Sequence, residues 1–156
     1  MEPQNIITET SFLNDLRYAC SRKGLKIVGT CGCFDLLHPG HVLFFYECIR
    51  YGHVLVVFVN TDRYIKEKKR KPLYTQHERL RMVASIRPVS YVMLFDDDEP
   101  SRMIRLLRPD VWCNAEHYGR ECVEAEVVRS VGGELVLVGN LAPYSTSDLI
   151  RRIKEG

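Results

Sequence analysis

The sequence has little of what would place it in a membrane or on nucleic acid. The polar start Met1-Glu2-Pro3-Gln4-Asn5 is followed by no long apolar run, which predicts neither a signal peptide nor a membrane span. Charge of one sign is nearly absent in excess: 22 Lys and Arg against 20 Asp and Glu leave +2. Any attraction for an anion must then come from a local cluster, not from the whole surface. No internal repeat, low-complexity stretch or linker is evident, so a single domain is expected over 1–156, with 1–24 as an N-terminal helical extension. None of the six cysteines forms a C-x-x-C pair. Cys31 and Cys33 lie on a predicted strand end, and two thiols alone do not make a metal site. Cys20, Cys48 and Cys113 sit in apolar stretches. The expectation is free thiols in a reducing cytoplasm and no protein-built metal site.

What is present is the composition of an ordinary soluble domain, 46% apolar and 27% charged, in a chain long enough to bury a core. Phe12, Leu13, Leu16, Ala19 and Cys20 form a helical stripe within residues 11–23, stopped by Gly24. Residues 25–30 read as a strand, 41–51 as a helix, and His53 to Val59 as an apolar run suited to a strand covered on both faces. A helix over 75–86 follows, Thr75 capping it with Glu78 three residues on. The alternation continues with strand 89–95, helix 100–107, strand 111–113, helix 121–131, strand 134–138 and helix 147–154. Strands separated by helices imply right-handed crossovers and a Rossmann-like, doubly wound, five-stranded parallel sheet with helices on both faces. Ligands of such sheets bind beyond the carboxyl ends of the strands.

The segment after the first strand carries the clearest chemistry. Gly29-Thr30-Cys31-Gly32-Cys33-Phe34-Asp35-Leu36-Leu37-His38-Pro39-Gly40-His41 runs from strand to helix. Its glycines allow close approach of backbone to a ligand, and the helix start favours an anion. His38 and His41 are three residues apart, so both can face one bound group and donate to phosphate oxygens. One histidine alone would be read as a satisfied structural contact. Two, with the glycines and the strand-to-helix position, point to function.

These residues resemble the H-x-G-H signature of the cytidylyltransferase-like nucleotidyltransferases. The longer string from Gly32 to His41 is similar to the adenylyltransferases of ADP-heptose synthesis. Asn60-Thr61-Asp62, Glu78 with Arg79, Phe95 with Pro100, Arg108-Pro109-Asp110-Val111, Gly132-Gly133-Glu134 and Ser145-Thr146-Ser147-Asp148-Leu149-Ile150 match the same pattern in order. The resemblance implies attack by a sugar phosphate oxygen on the α-phosphorus of ATP, with Mg²⁺ on the phosphates and pyrophosphate released. It implies catalytic roles for His38, His41 and Lys66. It implies nucleotide contacts at Thr30, Gly32, Cys33, Phe34, Asp35, Gly40, Asn60, Asp62, Arg79, Asn114, Glu116, Ser145 and Thr146. It also implies a homodimer or larger homo-oligomer, with no nucleic acid or membrane partner.

Several of these residues have ordinary readings as well. The basic run Lys66-Glu67-Lys68-Lys69-Arg70-Lys71 before Pro72 is read as a mobile loop closing over a triphosphate, or as a nucleic-acid patch or solvated loop. Within it Lys69 or Arg70 can substitute for Lys66. Arg79, in the first turn of a helix, is a surface arginine or a phosphate contact. Ser145 to Ser147 cap a helix and offer hydroxyls to phosphate. Asp96 to Glu99 suit a helix start better than a metal. The family's lysine, paired glycines and aspartate are replaced at Asn114-Ala115-Glu116-His117, which touches the acceptor and the base. Two alternatives follow: a CTP-dependent glycerol phosphate or polyol phosphate cytidylyltransferase, and a non-catalytic nucleotide-binding module.

Overall fold

Seven consecutive residues, Val54–Asn60, form a strand whose last six residues are buried, because helices cover it on both faces. A computed structural model describes residues 3–68, 71–97, 100–139 and 146–155. In chain order its elements are β1 (Ile6–Ile7), α1 (Ser11–Arg22), β2 (Ile27–Gly32), α2 (Pro39–Ile49), β3 (Val54–Asn60), α3 (Asp62–Lys68) and α4 (Gln76–Ala84). They continue with β4 (Tyr91–Phe95), α5 (Ser101–Leu107), β5 (Val111–Ala115), α6 (Glu124–Ser130), β6 (Glu134–Val138) and α7 (Thr146–Glu155). The described strands make one parallel sheet in the order β1-β4-β3-β2-β5-β6.

Alternation along each strand sends side chains to two cores. On one face Leu13 and Leu16 of α1, Met103, Ile104 and Leu107 of α5, and Val127 and Val128 of α6 pack against Val56, Phe58 and Trp112. On the other, Phe45 and Cys48 of α2 and Leu80 and Val83 of α4 pack against Val28, Val57, Val59 and Cys113. Strand order runs outward in both directions from the β2/β5 boundary, the switch point at which such sheets open a ligand crevice. The two strands diverge there. β2 pairs with β3 over six residues but with β5 only at Val28–Val111 and Gly29–Trp112. Beyond that, Thr30 Oγ1 holds the strands by donating to the Cys113 carbonyl at 2.8 Å.

The doubly wound parallel sheet agrees with expectation, with six strands in place of five. The added strand, β1, has two residues, too few for a periodic signal, and lies within the stretch expected to be helical. It is held by Val92 N donating to the Asn5 carbonyl at 3.0 Å and by Asn5 Nδ2 donating to Ala84 O at 3.0 Å. Helix α3 over Asp62–Lys68 takes in Lys66, Glu67 and Lys68, the first residues of the basic loop expected over 66–71. Lys69 and Arg70 lie outside the described residues. The capping box of α4 is present as read, Thr75 and Glu78 each satisfying the other's backbone. α6 is shorter than its expected 121–131, and β5 runs on to Ala115.

Gly29 marks where the switch point is tightest, because a Cβ there would stand 2.6 Å from Cε3 of the fully buried Trp112. Gly29→Ala should therefore cost about 1–3 kcal/mol of overpacking, read as a lower urea midpoint with an unchanged slope.

Candidate active site

The β2–α2 loop folds back on itself beneath a cavity of about 1130 Å³ at the carboxyl ends of the strands. Phe34 takes φ 49°, a left-handed conformation that costs a non-glycine residue about 1–2 kcal/mol. Its ring repays this by packing 5.1 Å from the ring of Phe45 and edge-on to His41 at 5.4 Å. Gly32 is required beside it, since a Cβ there would meet Phe34 Cζ at 2.8 Å.

The loop delivers the two histidines to the start of α2. His38 is the N-cap residue in extended conformation, and Pro39 fills the first helical position. The imidazoles of His38 and His41 stack with centroids 3.8 Å apart and planes at 27°. Both Nδ1 atoms are buried without a hydrogen-bond partner among the described residues. Burial, then the neighbouring His38, lowers the His41 pKa to about 4, and burial lowers that of His38 too. Burial thus favours the neutral imidazoles, and an anion bound at the helix end would shift the balance back towards the protonated form.

Behind the loop a polar frame holds it in place. Arg79 of α4, with 0% of its surface exposed, donates to the Cys33 carbonyl at 2.5 Å, to Asp62 Oδ1 at 2.8 Å and to the Tyr74 carbonyl at 3.3 Å. Asp35 accepts from the backbone N–H groups of Leu73 at 2.9 Å and Tyr74 at 3.1 Å. Cys33 donates its thiol to Asn60 Oδ1 at the end of β3, 3.6 Å away.

Of the residues named from sequence, Thr30, Gly32, Cys33, Phe34, Asp35, His38, Gly40, His41, Asn60, Asn114, Glu116 and Thr146 line the cavity. Asp62 and Arg79 do not; they pair with each other behind it, so Arg79 is not the surface arginine considered above. Lys66 is exposed on α3 and is not brought to the wall. Ser145 lies outside the described residues. Sequence reasoning passed over Cys31, Tyr64, Cys122 and Glu124, which also line the cavity. No local pattern marked them: Cys31 lies within β2, Tyr64 within α3, Cys122 just before α6 and Glu124 at its start. Burial and the nearby Glu124 carboxylate raise the Cys31 pKa, so its thiol stays protonated and is not a ready nucleophile.

All six cysteines are free. Among the described residues, no group of three His, Cys, Asp or Glu side chains can hold a metal ion, and no helix is long and apolar enough to cross a membrane.

Comparison with known proteins agrees with this geometry. The cytidylyltransferase-like family matches residues 30–152. The bifunctional protein HldE of Gluconobacter oxydans is 42% identical over 83% of this chain and 28% of its own length. That of Azorhizobium caulinodans is 41% identical over 87% of this chain and 29% of its own. The chain thus spans less than a third of these curated relatives. Among solved structures, the lipopolysaccharide core biosynthesis protein of Thermoplasma volcanium superposes with a TM-score of 0.63 at 24% identity, over 78% of this chain and all of that one. A pantoate-beta-alanine ligase from Francisella tularensis gives 0.65 at 10% identity, over 96% of this chain and 76% of the ligase. At these identities both share the fold.

Two outcomes follow from the site. Arg79→Ala leaves Asp62 and the Cys33 carbonyl without their partner and should destabilise by about 3–5 kcal/mol, measured by urea unfolding. The depressed His41 pKa also sets a pH dependence. Between about pH 6.5 and about pH 4 the unfolded chain binds a proton that the folded one refuses. Stability contributed by neutral His41 is whole above that window and is lost as pH falls through it. His41→Asn should flatten the fall in unfolding midpoint across the window.

Proposed function

The chain belongs to the cytidylyltransferase-like family and is a nucleotidyltransferase, and we propose that it transfers AMP from ATP to a heptose-1-phosphate-like sugar phosphate. An oxygen of the acceptor's phosphate forms a bond to the α-phosphorus of ATP. The bond from that phosphorus to the bridging oxygen breaks, and pyrophosphate leaves with the electron pair. The attacking oxygen is already anionic, so alignment and charge stabilisation suffice, without a protein nucleophile.

The observation that carries the reading is the stacked pair His38 and His41 at the α2 N-terminus, both lining the open cavity. Neutral imidazoles there donate to phosphate oxygens, and the helix end adds its free N–H groups. Gly32 and Gly40 let the triphosphate lie against the backbone, with Asn60 and Thr30 beside it, while Phe34 and Asp35 hold the loop's shape. Arg79 and Asp62 act from behind as positioning residues. Thr146, at the start of α7, faces the same cavity, and Ser145 joins it in the proposal. Lys66 on α3 is proposed to reach the α-phosphate when nucleotide is bound. The donor set fits a cation that arrives with its substrate, since Asp35 already accepts two backbone bonds and no protein cage exists among the described residues. Bound with the triphosphate, Mg²⁺ would neutralise charge on the phosphate oxygens.

The proposal extends to a single catalytic unit over 1–156, to a reducing cytoplasm suited to six free thiols, and to a homodimer or larger homo-oligomer. For the last, exposed Leu43, Tyr46 and Tyr51 on and beside α2 offer an apolar face. The altered strand-end sequence Asn114 to His117 favours one second reading, CTP with a glycerol or pentitol phosphate.

A matrix of ATP and CTP against heptose, glycerol and pentitol phosphates, read by pyrophosphate release, should give its highest kcat/KM for ATP with the heptose phosphate. A preference for CTP and a polyol phosphate selects the second reading. His41→Ala should lower kcat on the order of a hundredfold or more with its fold intact by circular dichroism. Near-normal release by that variant would overturn the scheme.

A further inference from the structure

The histidines occupy only one face of the sheet. Trp112 points into the core under α6, so Asn114, two residues on, points the same way at the end of β5. There the indole Nε1 of Trp112 donates to Asn114 Oδ1 at 3.1 Å, fixing the orientation of the amide. Asn114 Nδ2 then faces Glu124, donating to its Oε2 at 3.2 Å, and stands 3.3 Å from Cys122 Sγ. Glu124 is 7% exposed, yet it lines the cavity. Its described partners are an amide and a thiol, and no cation pairs with it among the described residues. A buried carboxylate balanced only by neutral groups is a costly arrangement. Its two oxygens have more acceptor sites than these contacts fill, and the residue lines the cavity.

A carboxylate accepts and never donates. Its complement is a ligand carrying O–H or N–H groups, and a second anionic group in the same place is repelled. The nearby carboxylates of Glu116 and Glu121 on the cavity wall act in the same sense. The His38/His41 side holds the polyphosphate, so this second compartment, across the β2/β5 switch point, is left for the part of a substrate that bears donors.

We infer that Glu124, oriented by Asn114, determines acceptor specificity: it accepts a hydrogen bond from a hydroxyl or ammonium of the sugar phosphate and excludes acceptors that are anionic at that end. The inference rests on the nucleotidyl-transfer reading above. Glu124→Gln is nearly isosteric and can keep the contact to Asn114 through its amide oxygen, so it removes the charge and turns the other acceptor oxygen into a donor.

The experiment measures binding by calorimetry and pyrophosphate release, in wild type and Glu124→Gln, with ATP and four acceptors. These are the heptose phosphate, its analogue deoxygenated at the carbon farthest from the phosphate, the uronic acid with a carboxylate at that carbon, and the amino sugar with an ammonium there. In wild type the heptose phosphate, the amino sugar or both should bind about tenfold or more tighter than the deoxy analogue, and the uronic acid weakest. The arm that wins identifies the donor as hydroxyl or ammonium. Glu124→Gln should weaken the winner about tenfold, leave the deoxy analogue unchanged, and narrow the exclusion of the uronic acid, with the affinity for ATP constant. A change in ATP affinity with acceptor binding untouched would overturn the inference. So would equal wild-type binding of the uronic acid. Absence of pyrophosphate release with every acceptor would sink the reading it rests on, while acceptor binding that depends on Glu124 would still sustain this one. If Glu124→Gln did not fold, the wild-type ranking of the four acceptors would decide alone.

Discussion

Arg79 holds the β2–α2 loop from behind. Its guanidinium spends its donors on the carbonyls of Cys33 and Tyr74 and on the carboxylate of Asp62, joining α4 to the β2–α2 loop and to the start of α3. Asp35 answers from the loop side by accepting from Leu73 and Tyr74. The two contacts fix the backbone between Cys33 and Asp35, where Phe34 sits in a left-handed conformation that this loop would not hold unaided. With Phe34 in place, its ring supports His41, and His41 stacks on His38. The shape of this loop thus depends on an Arg79–Asp62 ion pair that does not line the cavity.

That dependence explains which parts of the site were legible. His38-Pro39-Gly40-His41 could be read because its function is local, a helix start with two donors on one face. Arg79 was visible as an anomaly, a cation in the first turn of a helix. Its partners are 46 residues away at Cys33 and 17 away at Asp62, a distance that no local pattern encodes. Glu124 was missed for the same reason. On its own it is an ordinary acid at a helix start, and its burial follows only from β5 bringing Asn114 beside α6.

Much of the fold was legible because its elements carry strong periods. β3 is apolar throughout and α4 carries its capping box in sequence. β1 was not, since two residues have no period and the strand exists only because β4 offers it an edge. The helix Asp62–Lys68 was hidden at its end by the basic run from Lys66, which suggested a loop although nothing in Asp-Arg-Tyr-Ile-Lys-Glu-Lys breaks a helix. The switch point itself comes from packing. β2 and β5 part where Gly29 meets Trp112, and the cavity opens where their ladder ends. The cleft then has histidines on one side of the β2/β5 boundary and carboxylates on the other, an arrangement that supports the proposed anionic donor and hydroxyl-bearing acceptor.

The central claim is that the His38/His41 pair receives the triphosphate. Imidazole titration by NMR, with and without a non-hydrolysable ATP analogue, tests it most directly. The account predicts that His41, titrating at about 4 in the free protein, moves up markedly when the analogue binds, because the phosphates favour the imidazolium. Saturating analogue that leaves the titrations of both histidines unmoved would contradict it.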